Sequence, residues 1–417
     1  MLMQVRLLKI MINILKGMNN MFKRVFVIVF DSLGIGNAKD ADKFNDVGSD
    51  TLKSVLDSGD AKELSTLSEL GFLNLCSDKK YHTKDYKGII CKLNEASAGK
   101  DTLTGHYEMM GLLVTKPSVT FTDTGFPPEL VAELEAKWGR KIIGNKSASG
   151  TEIIKELGER QMETGEAIVY TSADSVLQIA ANEAIIPLEE LYRMCEIARE
   201  VTLKDEWKVD RIIARPFVGT NRDNFSRTAN RHDYATSPFA PTYMDELKDN
   251  GYDVVAIGKI NDIFNGQGIS EFSKTKSNLD GLNQTIEIVK NKDFEGLCFV
   301  NLVEFDSEYG HRRNPVGYYN CLKEANDKVK EMLPYLREDD LVMITADHGN
   351  DPKFRGTDHT REMVPLVIYS KKLKKGIELS EKKTYACIGA TVMDNFNVSK
   401  KDYHIGESML EEIKEAL

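Results

Sequence analysis

Residues 24–31 read RVFVIVFD, a short and almost wholly apolar run that ends abruptly on an aspartate. A run rich in β-branched and aromatic residues is typical of a strand buried on both faces, as in a parallel sheet. The glycine-bearing loop SLGIGNA follows Asp31. Two later segments repeat this layout, because GLCFVNLVEF leads to Asp306 and DDLVMITA leads to Asp347 and His348. The sequence therefore predicts three buried strands, each followed by an acidic residue.

Segments of helical periodicity separate the predicted strands, for example NCLKEANDKVKEMLPYLRE from Asn320. GYDVVAIGKI from Gly251 and VPLVIYS from Val364 indicate further strands. Strands that alternate with helices predict an α/β fold with a mostly parallel sheet core flanked by helices. Ligands of such sheets collect beyond the carboxyl ends of the strands. We therefore expect the acidic residues to converge on one edge.

Proline and small polar residues punctuate the chain at two places, TKPSVTFTDTGFPPEL and ATSPFAPTYMDEL. Such clusters are typical of loops and domain boundaries. The stretch between them carries its own strands and helices, so we expect an inserted, smaller α/β cap domain at residues 118–236. The catalytic core would then comprise residues 21–117 and 237–417. Residues 1–20 form an expected extension, because MFKRVFVIVFDS from Met21 resembles a natural start.

The overall charge argues against nucleic acid as a partner. The formal net charge is -10 at pH 7, and such a field repels a long polyanion, although local cations can still bind a small anionic substrate. We expect no export signal and no membrane association, because Lys9 and Lys16 interrupt the apolar stretch near the amino terminus. The six cysteines are scattered without a CxxC pair, which favours free thiols in a reducing cytoplasm. The amino-acid sequence does not indicate an oligomeric state.

Six acidic and imidazole side chains lie in loops beside the predicted strands: Asp31, Asp306, His311, Asp347, His348 and His359. Carboxylate oxygen suits hard divalent cations, and imidazole widens the choice to zinc, manganese or iron. In EFDSEYGHRR, a glycine-bearing loop can bring Asp306 and His311 onto one ion. A single aspartate at a strand end is more often a helix cap or a turn former. The joint layout instead favours two cations with open positions for substrate.

The segment SAGKDTLTGHYEMMG offers two candidate nucleophiles, Thr102 and Thr104. A threonine hydroxyl is a weak nucleophile at neutral pH unless a base or a metal lowers its pKa. A plain helix N-cap is the structural alternative. The two interpretations are compatible, because a helix N-terminus also favours a phosphate group.

Five stretches resemble the phosphopentomutase family of the alkaline-phosphatase-like metalloenzymes: VFVIVFDSLGIGNAKDA, GKDTLTGHYEMMG, TSADSVLQIAANE, GHRRNP and TADHGNDPKFRGTDHTRE. The likeness runs from about Arg24 to near the C-terminus and includes the predicted cap. TADHGND and TDHTRE are also similar to motifs of cofactor-independent phosphoglycerate mutases. KDTLTGH and TSADSVLQ narrow the match to the pentomutases.

The resemblance implies roles for particular residues. One manganese ion would be bound by Asp31, Asp347 and His348. The other would be bound by Asp306, His311 and His359. The phosphorylated threonine would be Thr102. Sugar and phosphate contacts would come from Ser172, Asp174, Val176, Arg211, Ile213, Arg227 and Lys259.

The resemblance also implies an isomerase of nucleoside and pentose phosphate metabolism. Such an enzyme interconverts ribose 1-phosphate and ribose 5-phosphate, and the deoxyribose pair, through a phosphothreonine and a sugar 1,5-bisphosphate. Glucose 1,6-bisphosphate or ribose 1,5-bisphosphate would act as activator. The alternatives are a metal-dependent phosphatase or phosphodiesterase on the same core, a phosphoglycerate mutase, and a non-catalytic protein that binds metal or phosphosugar.

Overall fold

The computed structural model describes residues 20–116, 119–172 and 175–417. The chain divides into two compact units, one of residues 1–116 with 238–417 and the other of residues 117–237. We call them the core unit and the inserted unit. All but the last residue of the expected extension, 1–20, lies outside the described residues.

The strands, numbered in chain order, are β1 (Arg24–Phe30), β2 (Ile89–Leu93), β3 (Ile142–Ser147), β4 (Ala167–Thr171), β5 (Val176–Asn182), β6 (Arg211–Val218), β7 (Ser226–Arg227), β8 (His232–Ala235), β9 (Asp253–Ile257), β10 (Glu271–Ser273), β11 (Gly296–Leu302), β12 (Asp340–Thr345), β13 (Val364–Tyr369) and β14 (Ile377–Glu378). The α-helices are α1 (Thr51–Leu56), α2 (Ser65–Glu69), α3 (Thr102–Met109), α4 (Pro128–Trp138), α5 (Gly150–Thr164), α6 (Leu188–Val201), α7 (Tyr243–Asp249), α8 (Ile260–Ile263), α9 (Asn278–Asn291), α10 (Pro315–Met332), α11 (Cys387–Asn395) and α12 (Leu410–Ala416). Short 3-10 turns occupy Ala41–Phe44, Ala61–Glu63, Phe72–Leu75, Lys79–Tyr81, Asp205–Trp207 and Leu333–Tyr335, and a π-helical turn occupies Phe305–Gly310.

The core unit is built on a sheet of eight strands in the order β10-β9-β11-β1-β12-β13-β2-β14. The strands from β10 to β12 run parallel to one another. Only β13 runs against its two neighbours, β12 and β2. The predicted α/β fold with a mostly parallel sheet is confirmed.

The central strands are buried over their whole length, which explains why their sequences are apolar at every position rather than alternating. The predicted strand GLCFVNLVEF ends earlier than its apolar pattern suggested, at Leu302, because the following residues enter the π-helical turn. In α10, Tyr318, Leu322, Ala325 and Val329 form the buried stripe that a helix needs to pack on a sheet.

The inserted unit has its own mixed sheet in the order β3-β4-β5-β6-β7, and β8 also pairs with β6. The pairs β3–β4 and β5–β6 are parallel, whereas β4–β5, β6–β7 and β6–β8 are antiparallel. Two separate apolar clusters lie in this unit, and Ile153 and Ile154 of α5 belong to one while Leu191 and Met194 of α6 belong to the other.

The six cysteines are buried free thiols. Among the described residues, no helix combines the length and the apolar character that a bilayer crossing requires.

Candidate metal centre and nucleophile

The candidate ligands lie beyond the carboxyl ends of three neighbouring strands. Asp31 directly follows β1, and Asp347 closely follows β12. Asp306 lies in the π-helical turn that follows β11. Because β1 pairs in parallel with both β11 and β12, the three acidic side chains share one edge of the sheet.

The first candidate metal site consists of Asp31, Asp347 and His348. One ligand atom from each residue lies within 4.8 Å of the others, and all three side chains are buried. His348 Nε2 lies 3.6 Å from Asp31 Oδ1 and 3.4 Å from Asp347 Oδ2. The other ring nitrogen of His348, Nδ1, lies 3.1 Å from the carbonyl oxygen of Gly349. Nδ1 therefore carries the proton, and Nε2 keeps the lone pair that a metal needs.

The second candidate site is built around Asp306. His311 Nε2 and His359 Nε2 lie 3.1 Å and 3.5 Å from Asp306 Oδ2. His348 also lies within 4.8 Å of Asp306 and His359, so His348 borders both sites. His311 Nδ1 lies 2.7 Å from the carbonyl oxygen of Thr357, so Nδ1 carries a proton and Nε2 is the ring nitrogen directed at Asp306.

Both sets of donor atoms fit cations. Asp31 Oδ1 and Asp347 Oδ2 are buried, and no hydrogen bond from the described residues reaches either oxygen. Leaving a carboxylate oxygen buried without a partner is costly, and a bound cation removes that cost. In the second site, the Nε2 atoms of His311 and His359 face each other at 3.1 Å. Mixed oxygen and nitrogen donors of this kind suit manganese, zinc or iron.

The electrostatics show how strongly negative the first site is. Burial, followed by the charges of Asp347 and Asp306, raises the pKa of Asp31 to about 7. Burial acts in the same direction on Asp347, but His348 and His106 outweigh it and lower its pKa to about 2. Burial alone would lower the pKa of His348, yet the neighbouring carboxylates raise it. Cations or protons must balance this concentration of negative charge.

The two candidate nucleophiles have different surroundings. Thr104 donates its hydroxyl to Asp101 Oδ2 at 2.6 Å, and Asp101 Oδ1 accepts from the Thr104 backbone at 3.0 Å. Asp101 is therefore the N-cap of α3, and the Thr104 hydroxyl is part of that cap. The Thr102 hydroxyl instead lies 3.3 Å from His348 Nε2. Of the two hydroxyls, only the one on Thr102 faces the candidate metal ligands.

Two backbone features hold these loops together. A Cβ atom at Gly105 would lie 2.1 Å from the carbonyl oxygen of Asp347, so only glycine lets α3 approach this loop so closely. Ser32 has φ 68, in the left-handed region that non-glycine residues rarely adopt. This turn lets the Ser32 backbone N–H donate to Asp347 Oδ1 at 3.0 Å. The strained residue thus orients a candidate ligand.

Three residues missed by the sequence reasoning support the ligands. Asn301 donates to Asp31 Oδ2 at 2.8 Å, and Asn350 donates to Asp306 Oδ1 at 2.7 Å. His106 is fully buried, with Nδ1 2.8 Å from the Thr102 carbonyl oxygen and 3.2 Å from Asp347 Oδ2. An asparagine inside the apolar run GLCFVNL was a usable signal, because a buried amide needs a partner.

Lys259 is the candidate substrate residue of the core unit. It directly precedes α8, and its charge acts on Asp31 to lower the pKa of that carboxyl, against the larger effect of burial. The structure therefore brings Lys259 into the electrostatic neighbourhood of the first site.

The remaining candidates belong to the inserted unit, except that Asp174 lies outside the described residues. Val176 and Arg211 are paired at the start of β5 and β6, and Ser172 follows β4 at the same end of the sheet. Ile213 lies two residues further along β6. Arg227 pairs with Phe217, near the other end of β6, so its backbone is about 20 Å along the strand from Arg211.

Comparisons with known proteins show the family to which the chain belongs. A model of the Metalloenzyme superfamily matches residues 23–400. A phosphopentomutase of Clostridium perfringens is 56% identical over 393 residues, which cover 94% of this chain and 99% of the relative. A phosphopentomutase of Agathobacter rectalis is 53% identical over the same shares of the two chains. The chain belongs to the phosphopentomutase family.

Among solved structures, a phosphoglycerate mutase of Leishmania mexicana is 12% identical, covers 92% of this chain and 97% of its own, and superimposes with a TM-score of 0.48. The match to the Metalloenzyme superfamily agrees with the two candidate metal sites at the edge of the sheet. The predicted recognition of this family from the motifs is confirmed.

Proposed function

We propose that the chain is a phosphopentomutase that interconverts ribose 1-phosphate and ribose 5-phosphate, and the corresponding deoxyribose phosphates. The enzyme is then an isomerase that acts by intramolecular phosphoryl transfer. The observation that carries the proposal is identity of 56% with a phosphopentomutase along 94% of the chain. We assign the reaction to the cytoplasm, in keeping with six free thiols.

Thr102 is the proposed nucleophile and the phosphorylated residue. Its hydroxyl lies 3.3 Å from His348 Nε2, whereas the Thr104 hydroxyl is held by Asp101. Thr102 is also the first residue of α3, where backbone N–H groups and the helix dipole favour a phosphate.

Two divalent cations, for which we propose Mn²⁺, complete the site. We assign one to Asp31, Asp347 and His348 and the other to Asp306, His311 and His359. When bound, such cations neutralise phosphoryl oxygens and lower the pKa of the threonine hydroxyl. Asn301, Asn350 and His106 fix the orientation of the ligands from behind.

The proposed reaction has two transfers. The phosphoryl group leaves Thr102 Oγ1 for the free hydroxyl of a pentose monophosphate, which loses its proton and becomes a 1,5-bisphosphate. Thr102 Oγ1 then attacks the other phosphorus, so the second sugar–phosphate bond breaks and the isomeric monophosphate is released. Glucose 1,6-bisphosphate or ribose 1,5-bisphosphate would load Thr102 at the start. We propose contacts to the sugar phosphate from Ser172, Val176, Arg211, Ile213, Arg227 and Lys259, and the same role for Asp174.

A coupled assay on ribose 5-phosphate with Mn²⁺ tests the proposal. We expect ribose 1-phosphate to form, and glucose 1,6-bisphosphate to raise the rate of enzyme whose Thr102 is not yet phosphorylated. Stoichiometric release of inorganic phosphate without isomerisation would instead identify a phosphatase. Turnover of 3-phosphoglycerate but not of ribose 5-phosphate would identify a phosphoglycerate mutase. Either outcome would overturn the proposal.

A further inference from the structure

A cationic cavity lies within the inserted unit. Its volume is about 690 Å³, and its lining includes Lys155, Arg215, Arg227 and Arg231. None of its lining residues is acidic. Small-molecule sites in proteins usually measure about 300–1,000 Å³. The cavity therefore has room for a small organic anion rather than for a bare ion alone.

The cations of this cavity are only partly balanced by the protein. Arg231 pairs with Asp233 at 2.7 Å, and Lys155 pairs with the exposed Glu152. Arg215 donates from Nε to the neutral amide of Gln178 at 2.9 Å. Within the described part of the chain, no carboxylate forms an ion pair with Arg215 or with Arg227. A cluster of guanidinium groups without enough acid partners favours a bound anion.

A buried hydroxyl points to the same place. Tyr170 is 1% exposed, and its Oη has no hydrogen-bond partner among the described residues. A Cβ atom built on Gly150 would lie 2.7 Å from Tyr170 Oη and 3.2 Å from Arg227 Nη1. The phenol and the guanidinium therefore converge at Gly150, and its missing side chain leaves space between them. A buried hydroxyl without a partner is an exception that a missing ligand can explain.

The N-terminus of α5 supplies a third contribution. Gly150 is the first residue of this 15-residue helix, and Ser149 before it makes no side-chain cap to the first-turn N–H groups. Those N–H groups and the helix dipole favour an anion. Burial raises the pKa of Tyr170, while the charges of the three arginines oppose that rise, so all three act on the phenol. Burial and then the charge of Arg231 lower the pKa of Arg215.

We propose that this cavity is a phosphate-binding site, in which Arg215, Arg227 and Tyr170 Oη donate to a phosphate monoester dianion at the N-terminus of α5. Ile154 and Phe225 form an apolar wall of the cavity that can pack against the carbon skeleton of the ligand. Arg227 is already among the substrate contacts implied by sequence resemblance, whereas Arg215, Tyr170 and the helix terminus are new. The choice of a sugar phosphate as ligand rests on the proposed function, but the anion site itself does not.

Calorimetric titration of the full chain carrying Thr102→Val tests this site. Inorganic phosphate and ribose 5-phosphate are titrated with Mn²⁺ and again with a chelator, so that binding through metal ions can be subtracted. We expect a component that persists in the chelator and that weakens about tenfold to a hundredfold in Arg215→Ala or Arg227→Ala. Ribose 5-phosphate should bind more tightly than inorganic phosphate if the apolar wall contributes.

Arg193→Ala is the matched control, because Arg193 is exposed on α6, whose buried side chains belong to the other apolar cluster of the unit. It removes the same charge and should leave binding within about twofold. Arg215→Lys keeps the charge but loses the planar fork, so it should bind less tightly than the parent and remains informative if the alanine variant does not fold. Equal chelator-resistant binding by the parent, Arg215→Lys and Arg227→Ala, or its absence in the parent, would overturn the proposal. Because no turnover is measured, failure of the proposed reaction would leave this result standing.

Discussion

The two ends of strands β1 and β12 bury similar acidic groups in opposite ways. At the amino end, Asp340 accepts from Arg24 Nε at 2.7 Å and from Nη2 at 2.6 Å, and both side chains are fully buried. Arg24 Nη1 also donates to the carbonyl oxygens of Lys292 and Val289. At the carboxyl end, Asp31 Oδ1 and Asp347 Oδ2 are buried and accept no hydrogen bond from the described residues, although imidazole nitrogens lie 3.2–3.6 Å away.

This difference indicates that the two ends of the same sheet have different roles. A buried ion pair that the protein completes by itself needs nothing from solution, although breaking it is costly. A buried carboxylate pair that the protein leaves incomplete costs free energy, which a bound cation or a proton can offset. The amino end should therefore control folding, and the carboxyl end should control metal binding and activity.

The largest effect on activity is expected from removing the Thr102 hydroxyl, which lies at the carboxyl end of the sheet. Thr102→Val should abolish turnover and the mass increase of one phosphoryl group, because the proposed acceptor oxygen is gone. Intact-protein mass spectrometry after incubation with glucose 1,6-bisphosphate measures this directly. Thr104→Val is the matched control, which should keep phosphorylation and lose about 1 kcal/mol of stability through the cap of α3. Phosphorylation that follows Thr104 rather than Thr102 would contradict the assignment.

Asp31→Asn should separate activity from folding. We expect a loss of about a thousandfold or more in kcat/KM, because one charged ligand is removed from the first site. Without metal, the free energy of unfolding should stay equal or rise, since the substitution removes the negative charge of a fully buried carboxyl whose Oδ1 accepts no hydrogen bond from the described residues. Chemical denaturation in the presence of a chelator measures this free energy of unfolding. A variant that is both active and less stable would show that Asp31 has a structural role instead.

Arg24→Met should have the opposite signature. It leaves Asp340 charged and buried, so the free energy of unfolding should fall by about 3–5 kcal/mol. The affinity of the folded protein for Mn²⁺ should change by less than about twofold, since the two ends are about 20 Å apart along β1. The double variant Arg24→Met with Asp340→Leu should recover much of the lost stability. A large change in Mn²⁺ affinity would mean that the two ends are coupled.

A smaller effect is expected behind the second site. Asn350→Ala removes the donor to Asp306 Oδ1 and should weaken Mn²⁺ binding by about tenfold to a hundredfold. Equilibrium dialysis gives the affinity and the number of ions bound. Asn291→Ala, at the exposed end of α9, is the control and should leave both values unchanged. Equal affinity in the two variants would remove Asn350 from the metal centre.

The sequence was most informative where one physical rule dominates. RVFVIVF is apolar at every position because β1 is buried on both faces, so the strand and the aspartate after it were predictable. The antiparallel direction of β13 could not be predicted, because its sequence VPLVIYS is as apolar as the sequences of the parallel strands and does not indicate a strand direction. The direction of β13 does not affect the predicted site, since the three strands that precede Asp31, Asp306 and Asp347 are parallel to one another.

Side-chain partners beyond the chain's local pattern were harder to predict. Spacing left Thr102 and Thr104 equivalent, and the distinction depends on which hydroxyl Asp101 engages and which one faces His348. Asn301 and Asn350 depend on contacts across 270 and 44 residues of chain, which no local motif encodes. Arg215 has no signal in ARPFVG, because its importance comes from strands and a helix brought together by the fold.

The central claim is that the incomplete carboxyl end of the sheet holds two cations beside the Thr102 hydroxyl. Anomalous diffraction at the manganese edge, from crystals grown with saturating Mn²⁺, tests it most directly. We expect two peaks, one bound by Asp31, Asp347 and His348 and the other by Asp306, His311 and His359, with Thr102 Oγ1 next to them. No peak at this edge, or manganese bound only elsewhere, would contradict the claim.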